Sequence, residues 1–424
     1  MRAIIREKEL EAFQVRRKPD PECREILKKL IEVKEGLVCL KLPPQALKPL
    51  GERRPKPPVF YNPEAILNRD VAVLAVRTLS KMSSRSLRVC DALAGCGVRG
   101  LRFLAEGLNV GEAVLNDLNP DAVRFIRLNA EVNGLSRKVR VYNLDARILL
   151  LKREVRLQGF DFVDVDPFGS PAPFVQSAVL SLKPGGVLAA TATDTAPLSG
   201  TYPKVCLRRY WAKPLKTEYY PEVAVRILLG FIARNCMTVD RGLKPILVHR
   251  TTQYIRVYAR VDRGVKAAEE SLNKVGYLNH CFKCLHRFFV SLDTSPGGVC
   301  PHCGGKLDWA GPLWIGRIFD EDFCHRLREE YRTSHLSDKR ALGRLIEAID
   351  DESEGAATYY VTDKVSSILR MSPPAKNAVI KALKEMGYTA TPTHFDGKGF
   401  RTDAPMKDIT MVFRRTSGSS GPIL

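Results

Sequence analysis

Asp166 stands near the end of an apolar run, Phe162-Val163-Asp164-Val165-Asp166-Pro167-Phe168-Gly169-Ser170-Pro171. A carboxylate in that place can accept an N–H of an aromatic exocyclic amine, and the Pro167 carbonyl can accept the other. Such a nitrogen is a poor nucleophile, because its lone pair is delocalised into the ring; accepting its hydrogens localises density on it. Phe168 can stack on the ring and hold the nitrogen in line for attack. The plainer alternative is that Asp166 caps a following helix. Asp164 is the weaker candidate base, since alternation leaves it inside the strand. A second constellation is Cys281-Phe282-Lys283-Cys284 followed, after fifteen residues, by Cys300-Pro301-His302-Cys303. The pattern C-x2-C-x15-C-x2-C fits a zinc ribbon, in which four thiolates close a tetrahedral, structural Zn2+ site. A redox dithiol is the alternative; His280, His286 and His302 could serve as ligands, but four cysteines make them unnecessary.

The glycine run Asp91-Ala92-Leu93-Ala94-Gly95-Cys96-Gly97-Val98-Arg99-Gly100 lies between a strand and a helix. Gly95 and Gly97 would let a ligand approach the backbone, and the helix N-terminus would face it. Asp117 ends the next strand, and Asp145 with Ala146 follows the third, where strand C-termini line a crevice. One of these carboxylates can grip ribose hydroxyls and the other can accept from an adenine amine. A nicotinamide dinucleotide and S-adenosylmethionine both fit this outline. Asp91, which opens the loop, suits the positive amino-acid end of the latter, and Lys183-Pro184-Gly185-Gly186 entering the fifth strand has the same look.

These residues need an α/β frame. Strands are expected at Leu87–Ala92, Glu112–Asp117, Val139–Asn143, Phe160–Asp166 and Gly186–Thr193, with helices Gly97–Glu106, Pro120–Asn133 and Pro171–Leu182 between them. This order predicts a doubly wound α/β sheet; together with the Asp91 loop and the Lys183 run it has the look of a class I, Rossmann-like methyltransferase domain. Ile246–Arg250 and Gln253–Val261 read as an antiparallel hairpin at its edge. The domain reading is an N-terminal extension and basic Pro-rich linker (1–58), a methyltransferase domain (59–262), a zinc-ribbon segment (263–320), a C-terminal α+β winged-helix-like RNA-binding region (321–415) and a flexible tail (416–424). The C-terminal helices are expected at Glu321–Arg332, Asp338–Asp350, Thr362–Leu369 and Pro374–Met386, followed by short extended pieces. The 424 residues carry a formal charge of +20, which favours a polyanionic partner. Arg208-Arg209-Tyr210-Trp211-Ala212-Lys213, and Lys283 with His286 to Phe289, mix bases with aromatics as RNA-binding surfaces do. The other seven of the eleven cysteines are scattered, as in a cytoplasmic protein with reduced thiols. No apolar run approaches the ~20 residues of a membrane span, and no protein partner is indicated.

The chain resembles the tRNA guanine N2-dimethyltransferases. The resemblance rests on Val59-Phe60-Tyr61-Asn62-Pro63, Leu67-Asn68-Arg69-Asp70, Asp166-Pro167-Phe168-Gly169-Ser170-Pro171, Ala192-Thr193-Asp194-Thr195-Ala196-Pro197-Leu198, Thr201-Tyr202-Pro203-Lys204 and Thr393-His394-Phe395. It implies methyl transfer from S-adenosylmethionine to the N2 amine of guanine 26 of tRNA, once or twice. It implies that Arg69, with Asn68 beside it, meets the cofactor, and that Phe60 lies at the cofactor or target-base pocket. It also puts Asp194, Thr195 and His394 with the substrate. Amine methylation of adenine or cytosine in rRNA or DNA, and a non-catalytic tRNA-binding module on the same fold, are the rival readings.

Overall fold

The computed structural model describes residues 29–47, 57–251 and 253–417. Most of the basic Pro-rich linker therefore lies outside the described residues, as does the tail from residue 418. Within residues 29–47 the segment read as an extension holds regular structure. β1 (Ile31–Glu35) and β2 (Val38–Leu42) form an antiparallel hairpin, and a short 3-10 turn, Pro44–Leu47, follows. The prolines that disfavour a regular helix still allow that turn, because proline suits a first helical position.

α1 (Ile66–Met82) leads into the strands of the crevice. Then come β3 (Leu87–Asp91), α2 (Val98–Glu106), β4 (Val110–Asn116), α3 (Pro120–Val132) and β5 (Val139–Tyr142). α4 (Ala146–Leu151), α5 (Arg153–Gln158), β6 (Phe160–Val165), α6 (Val175–Ser181) and β7 (Leu182–Ala192) complete the alternation. α7 (Thr195–Leu198), α8 (Pro203–Tyr210) and α9 (Tyr220–Met237) precede the hairpin of β8 (Arg241–Arg250) and β9 (Ile255–Arg263). The sheet order is β5-β4-β3-β6-β7-β9-β8; β3, β4, β5 and β6 pair in parallel, and β8 and β9 are antiparallel at one edge. This is the doubly wound sheet the alternation predicts. β8 starts five residues earlier than expected because Pro245 sits at a register shift and does not end the strand.

Local chemistry sets the ends of these elements. Asn119 caps α3 by accepting from the Asp121 N–H, with Pro120 in the first turn. Gly97 adopts φ +84° at the start of α2, a conformation costly for other residues. At Gly100 a Cβ would collide with Leu115, so glycine lets α2 lie close on β4.

The described residues group into two compact units, neither of them continuous in sequence. The first holds the chain through Asp166, Ser177–Ala189 and Glu329–Leu342. Inside it the β1–β2 hairpin is tied to α3 by amide side chains. Asn133 and Asn129 accept from the Cys39 and Lys41 N–H groups at 2.8 and 2.7 Å, and the Asn133 amide donates to the Cys39 carbonyl at 2.7 Å.

The second unit holds Pro167–Gln176, Ala190–Arg328 and the chain from Gly343. After α10 (Val265–Leu272) it contains a three-stranded sheet of β10 (Val275–Cys281), β11 (Arg287–Ser291) and β12 (Leu307–Trp314), in the order β11-β10-β12. α11 (Glu321–Thr333) and α12 (Arg340–Ser353) both run across a unit boundary. The last elements are β13 (Tyr360–Val361), α13 (Thr362–Leu369), α14 (Lys376–Glu385), β14 (Ala390–Pro392), β15 (Gly399–Thr402) and α15 (Met406–Ser417). α15 corrects the expectation of extended pieces and a tail from 416. Met406, Ile409, Val412 and Phe413 are buried at helical spacing and join the core of Val365, Val379, Leu383 and Phe400.

Candidate active site and metal centre

In the first unit, the C-terminal ends of β3 and β6 bring three acids together. Asp91 and Asp164 are direct partners on adjacent parallel strands, so two carboxylates meet on one face of the sheet. Asp166 lies two residues past Asp164, on the same face by strand alternation. Arg99, the second residue of α2, is buried and pairs with Asp166 and with Asp164, the latter at 3.6 Å. The same guanidinium donates to Asn68 Oδ1 at 2.8 Å. Asp91 accepts from the Gly100 N–H at 3.2 Å. Burial first, and then the Asp164 charge, push its carboxyl up to about 7, against the pull of Arg99.

The glycine loop borders that cluster. Asp117 Oδ2 accepts from the Gly95 N–H at 2.8 Å and Oδ1 from the Asn119 N–H at 2.9 Å. Burial raises the Asp117 carboxyl above its ordinary range despite those hydrogen bonds. Gly95 has φ +55°, and a Cβ on it would stand 3.2 Å from the Phe60 carbonyl, so Phe60 is at the loop. Asp145 caps α4 through the Arg147 N–H at 2.8 Å and pairs with the Arg147 guanidinium, which lowers its carboxyl to about 2. Ala146 opens α4 and is buried.

Arg69 and its neighbours form a different kind of cluster. Arg69 is buried, with Nε and Nη2 each 2.6 Å from Glu35 and Nη2 3.0 Å from the Asn62 carbonyl. Arg102 meets Glu35 at 2.9 Å, Asp70 at 2.7 Å and Glu106 at 2.7 Å. Lys339 meets Asp70, and His335 meets Glu106, both at 2.7 Å. Glu35 comes from the stretch read as an extension, so the sequence reading missed the partner of Arg69. It also missed Arg99, whose signal was present: an arginine one turn past the glycines, facing strand-end acids.

In the second unit, the residues after Asp166 are held by a short polar chain. The Gly169 N–H donates to Thr193 Oγ1 at 2.6 Å, and the Gly169 carbonyl accepts from the Thr193 N–H at 2.9 Å. Ser170 Oγ donates to Tyr210 Oη at 2.7 Å, and Tyr210 donates to Asp194 at 2.7 Å. Arg209 also binds Asp194, at 2.8 Å. Asp194 thus fixes the loop that carries Pro167, which is buried, and Phe168, which is 72 % exposed. Thr195 follows as the first residue of α7. His394 corrects the substrate reading. Its side chain is 2 % exposed, and Nδ1 is 2.5 Å from Glu352, which also binds Arg401. A sealed imidazole in that position braces the C-terminal core and has no edge to offer an RNA.

The four cysteines converge as their spacing predicts. Their sulfurs lie within 4.8 Å of one another, with Cys281–Cys303 at 3.5 Å and Cys284–Cys300 at 3.7 Å. Thiolates at about 2.3 Å around a tetrahedral Zn2+ stand about 3.8 Å apart, so the set fits the ion. Each pair is wound by backbone bonds: the Leu285 N–H donates to the Cys281 carbonyl at 2.8 Å, and the Gly304 N–H to the Cys300 carbonyl at 2.9 Å. His280 is turned to Tyr219 Oη at 3.0 Å and is not in the set.

Comparison with known proteins agrees with this arrangement. The family model for N2,N2-dimethylguanosine tRNA methyltransferases matches residues 48–414. A tRNA (guanine(26)-N(2))-dimethyltransferase from Methanobrevibacter smithii is 37% identical over 393 residues, covering 92% of this chain and 99% of the relative. A tRNA (guanine(26)-N(2)/guanine(27)-N(2))-dimethyltransferase from Aquifex aeolicus is 37% identical over 354 residues, covering 83% of this chain and 88% of its own. Among solved structures, Trm1 from Pyrococcus horikoshii with S-adenosyl-L-methionine superposes with a TM-score of 0.78 at 33% identity, covering 90% of this chain and 99% of that one. The chain belongs to the N2,N2-dimethylguanosine tRNA methyltransferase family.

Proposed function

We propose that this protein methylates the N2 amine of a guanine in tRNA, at position 26, with S-adenosylmethionine as methyl donor. The observation that carries the reading is the convergence of Asp91, Asp164 and Asp166 on Arg99 at the ends of β3 and β6. When bound, S-adenosylmethionine supplies a methyl group on a positively charged sulfur. Asp91 would receive its ammonium end. Asp117 and Asp145 would take the ribose and adenine, with Gly95, Gly97 and Ala146 giving backbone access. Arg69, which binds Glu35 and the Asn62 carbonyl through Nε and Nη2, would offer Nη1 to the cofactor carboxylate. Asn68 steadies Arg99 from behind.

Arg99 pairs with Asp166 and fixes the direction of its carboxylate. Asp166 would accept one N2–H of guanine and the Pro167 carbonyl the other, which raises electron density on nitrogen and leaves the lone pair free to attack. Phe168 stands exposed at the same loop, where a base entering from solvent can stack on it, with Phe60 at the glycine loop to pack the cofactor side. Asp194 holds that loop in place through Tyr210 and Ser170, and Thr195 beside it would face the substrate. The four cysteines would carry a structural Zn2+, and the C-terminal region from residue 321 would grip the tRNA. No helix among the described residues is long and apolar enough to cross a membrane; we place the protein in the cytoplasm, with tRNA as its partner.

The test is incubation of unmodified tRNA transcript with methyl-labelled S-adenosylmethionine, followed by nuclease mapping and nucleoside mass spectrometry. N2-methylated guanosine at position 26 is the expected product. Methylated adenosine or cytidine, or no product despite cofactor binding, would overturn the assignment.

A further inference from the structure

The basic-aromatic run at the end of α8 is divided by the fold into two sets. Tyr210 points inward and Arg209 is neutralised by Asp194, so both belong to the loop machinery. Trp211 does the opposite: it is 71 % exposed, although it is the largest apolar side chain in the run. Its backbone is in the left-handed region at φ 52°, a conformation that a bulky residue adopts only when its surroundings impose it. The imposing group is Arg234 of α9. Its guanidinium donates to the Tyr210 carbonyl at 2.7 Å and to the Trp211 carbonyl at 3.1 Å. The Trp211 N–H closes the helix on the Leu207 carbonyl at 2.9 Å. An exposed indole on a clamped, strained backbone is what a fixed contact surface requires.

The neighbouring charges say what it would contact. α8 carries no acidic residue, and Lys204 and Arg208 lie exposed on it, one helical turn apart. Through Tyr210 and Ser170 the helix is also bonded to the loop that presents Phe168.

We propose that Trp211 is a stacking platform for an unpaired nucleotide of the RNA substrate near the target guanine, with Lys204 and Arg208 on the adjacent phosphates. The proposal rests on the tRNA reading above and deepens it. Unpaired bases stack on aromatic faces whatever their sequence, and lysine and arginine supply the salt-dependent part of the affinity.

The experiment is a fluorescence titration of the full-length protein with tRNA transcript, alongside methyl-transfer kinetics. The chain has three tryptophans; Trp314 is buried and Trp309 lies under the Lys213 ammonium at 4.5 Å. Quenching of tryptophan emission by tRNA is therefore expected to come mainly from Trp211 and to disappear in Trp211→Phe. Trp211→Ala is expected to raise KM for tRNA about tenfold, the effect of one lost stack, with kcat and the Kd for S-adenosylmethionine within about twofold. Trp211→Phe should recover KM to within about threefold, because a smaller ring still stacks. Quenching that persists unchanged in Trp211→Phe, or an unchanged KM in Trp211→Ala, overturns the proposal while tRNA methylation by the parent protein stands. Failure of the parent protein to methylate tRNA would instead remove the reading beneath it.

Discussion

Two ionic clusters lie in the first unit, and they are built on opposite principles. Around Arg102 the charges balance: Glu35, Asp70 and Glu106 face Arg69, Arg102 and Lys339. Burial works against the Arg102 charge, yet Glu106, Asp70 and Glu35 together hold its proton more tightly than usual. Around Arg99 acid stands beside acid: Asp91 and Asp164 oppose one another on neighbouring strands, and burial together with the Asp164 charge pushes the Asp91 carboxyl up to about 7. Like charges opposed on neighbouring strands cost stability. The first cluster is closed and holds the β1–β2 hairpin, α1 and α2 together. The second, on the proposed reading, would receive the sulfonium and ammonium of the cofactor. In a buried polar network, function is to be sought where like charges are held together and a carboxyl is pushed from its ordinary range, rather than at the largest number of pairs.

Breaking the balanced cluster should have the largest effect. Arg102→Met leaves three carboxylates without their shared cation, a loss of about 3–5 kcal/mol for a broken buried network. Thermal or denaturant unfolding of the variant checks this, and a midpoint equal to that of the parent would show the cluster to be dispensable. The Arg99 cluster should show itself in pH dependence. The Asp91 carboxyl titrates at about 7 in the folded chain and near its ordinary ~3.9 when unfolded. Between those values the folded state holds a proton that the unfolded chain releases. The Asp91 contribution to stability is therefore greatest below about pH 4 and declines as pH rises to about 7. A cationic cofactor needs the ionised form, so its affinity should fall by up to about tenfold per pH unit below 7. Calorimetric titration with S-adenosylmethionine from pH 5.5 to 8 reads this directly. Asp91→Asn should bind weakly with a flat profile, and a flat profile in the parent would exclude Asp91 from the binding site. The smallest effect belongs to the solvent-facing pair at Asp145. Arg147→Ala should leave the unfolding midpoint within about a degree and cofactor affinity within about threefold, since exposed pairs contribute little.

How much of this was legible in the sequence depends on what kind of signal each part leaves. The crevice was readable because alternating apolar runs end in Asp91, Asp117 and Asp166, and period and position together specify a strand end. The zinc-type cluster was readable because chemistry fixes its spacing. α9 was not, because a helix apolar on nearly every side shows no stripe. α15 was missed because its four apolar residues lie among charges at the chain's end, where a tail is the easier reading. Glu35 was out of reach in principle: its partners Arg69 and Arg102 are 34 and 67 residues away, and pairing at that separation leaves no local pattern. His394 was misplaced for a related reason, since Glu352, which seals it, lies 42 residues off.

The central claim is that the Asp166 carboxylate activates the guanine amine while Asp91 and its neighbours hold the cofactor. Single-turnover methylation of tRNA by Asp166→Asn, with the Kd for S-adenosylmethionine measured on the same preparation, tests it most directly. The account predicts a rate at least about a hundredfold lower, with Kd within about threefold of the parent. A near-normal rate, or a loss of cofactor binding as large as the loss of rate, would contradict it.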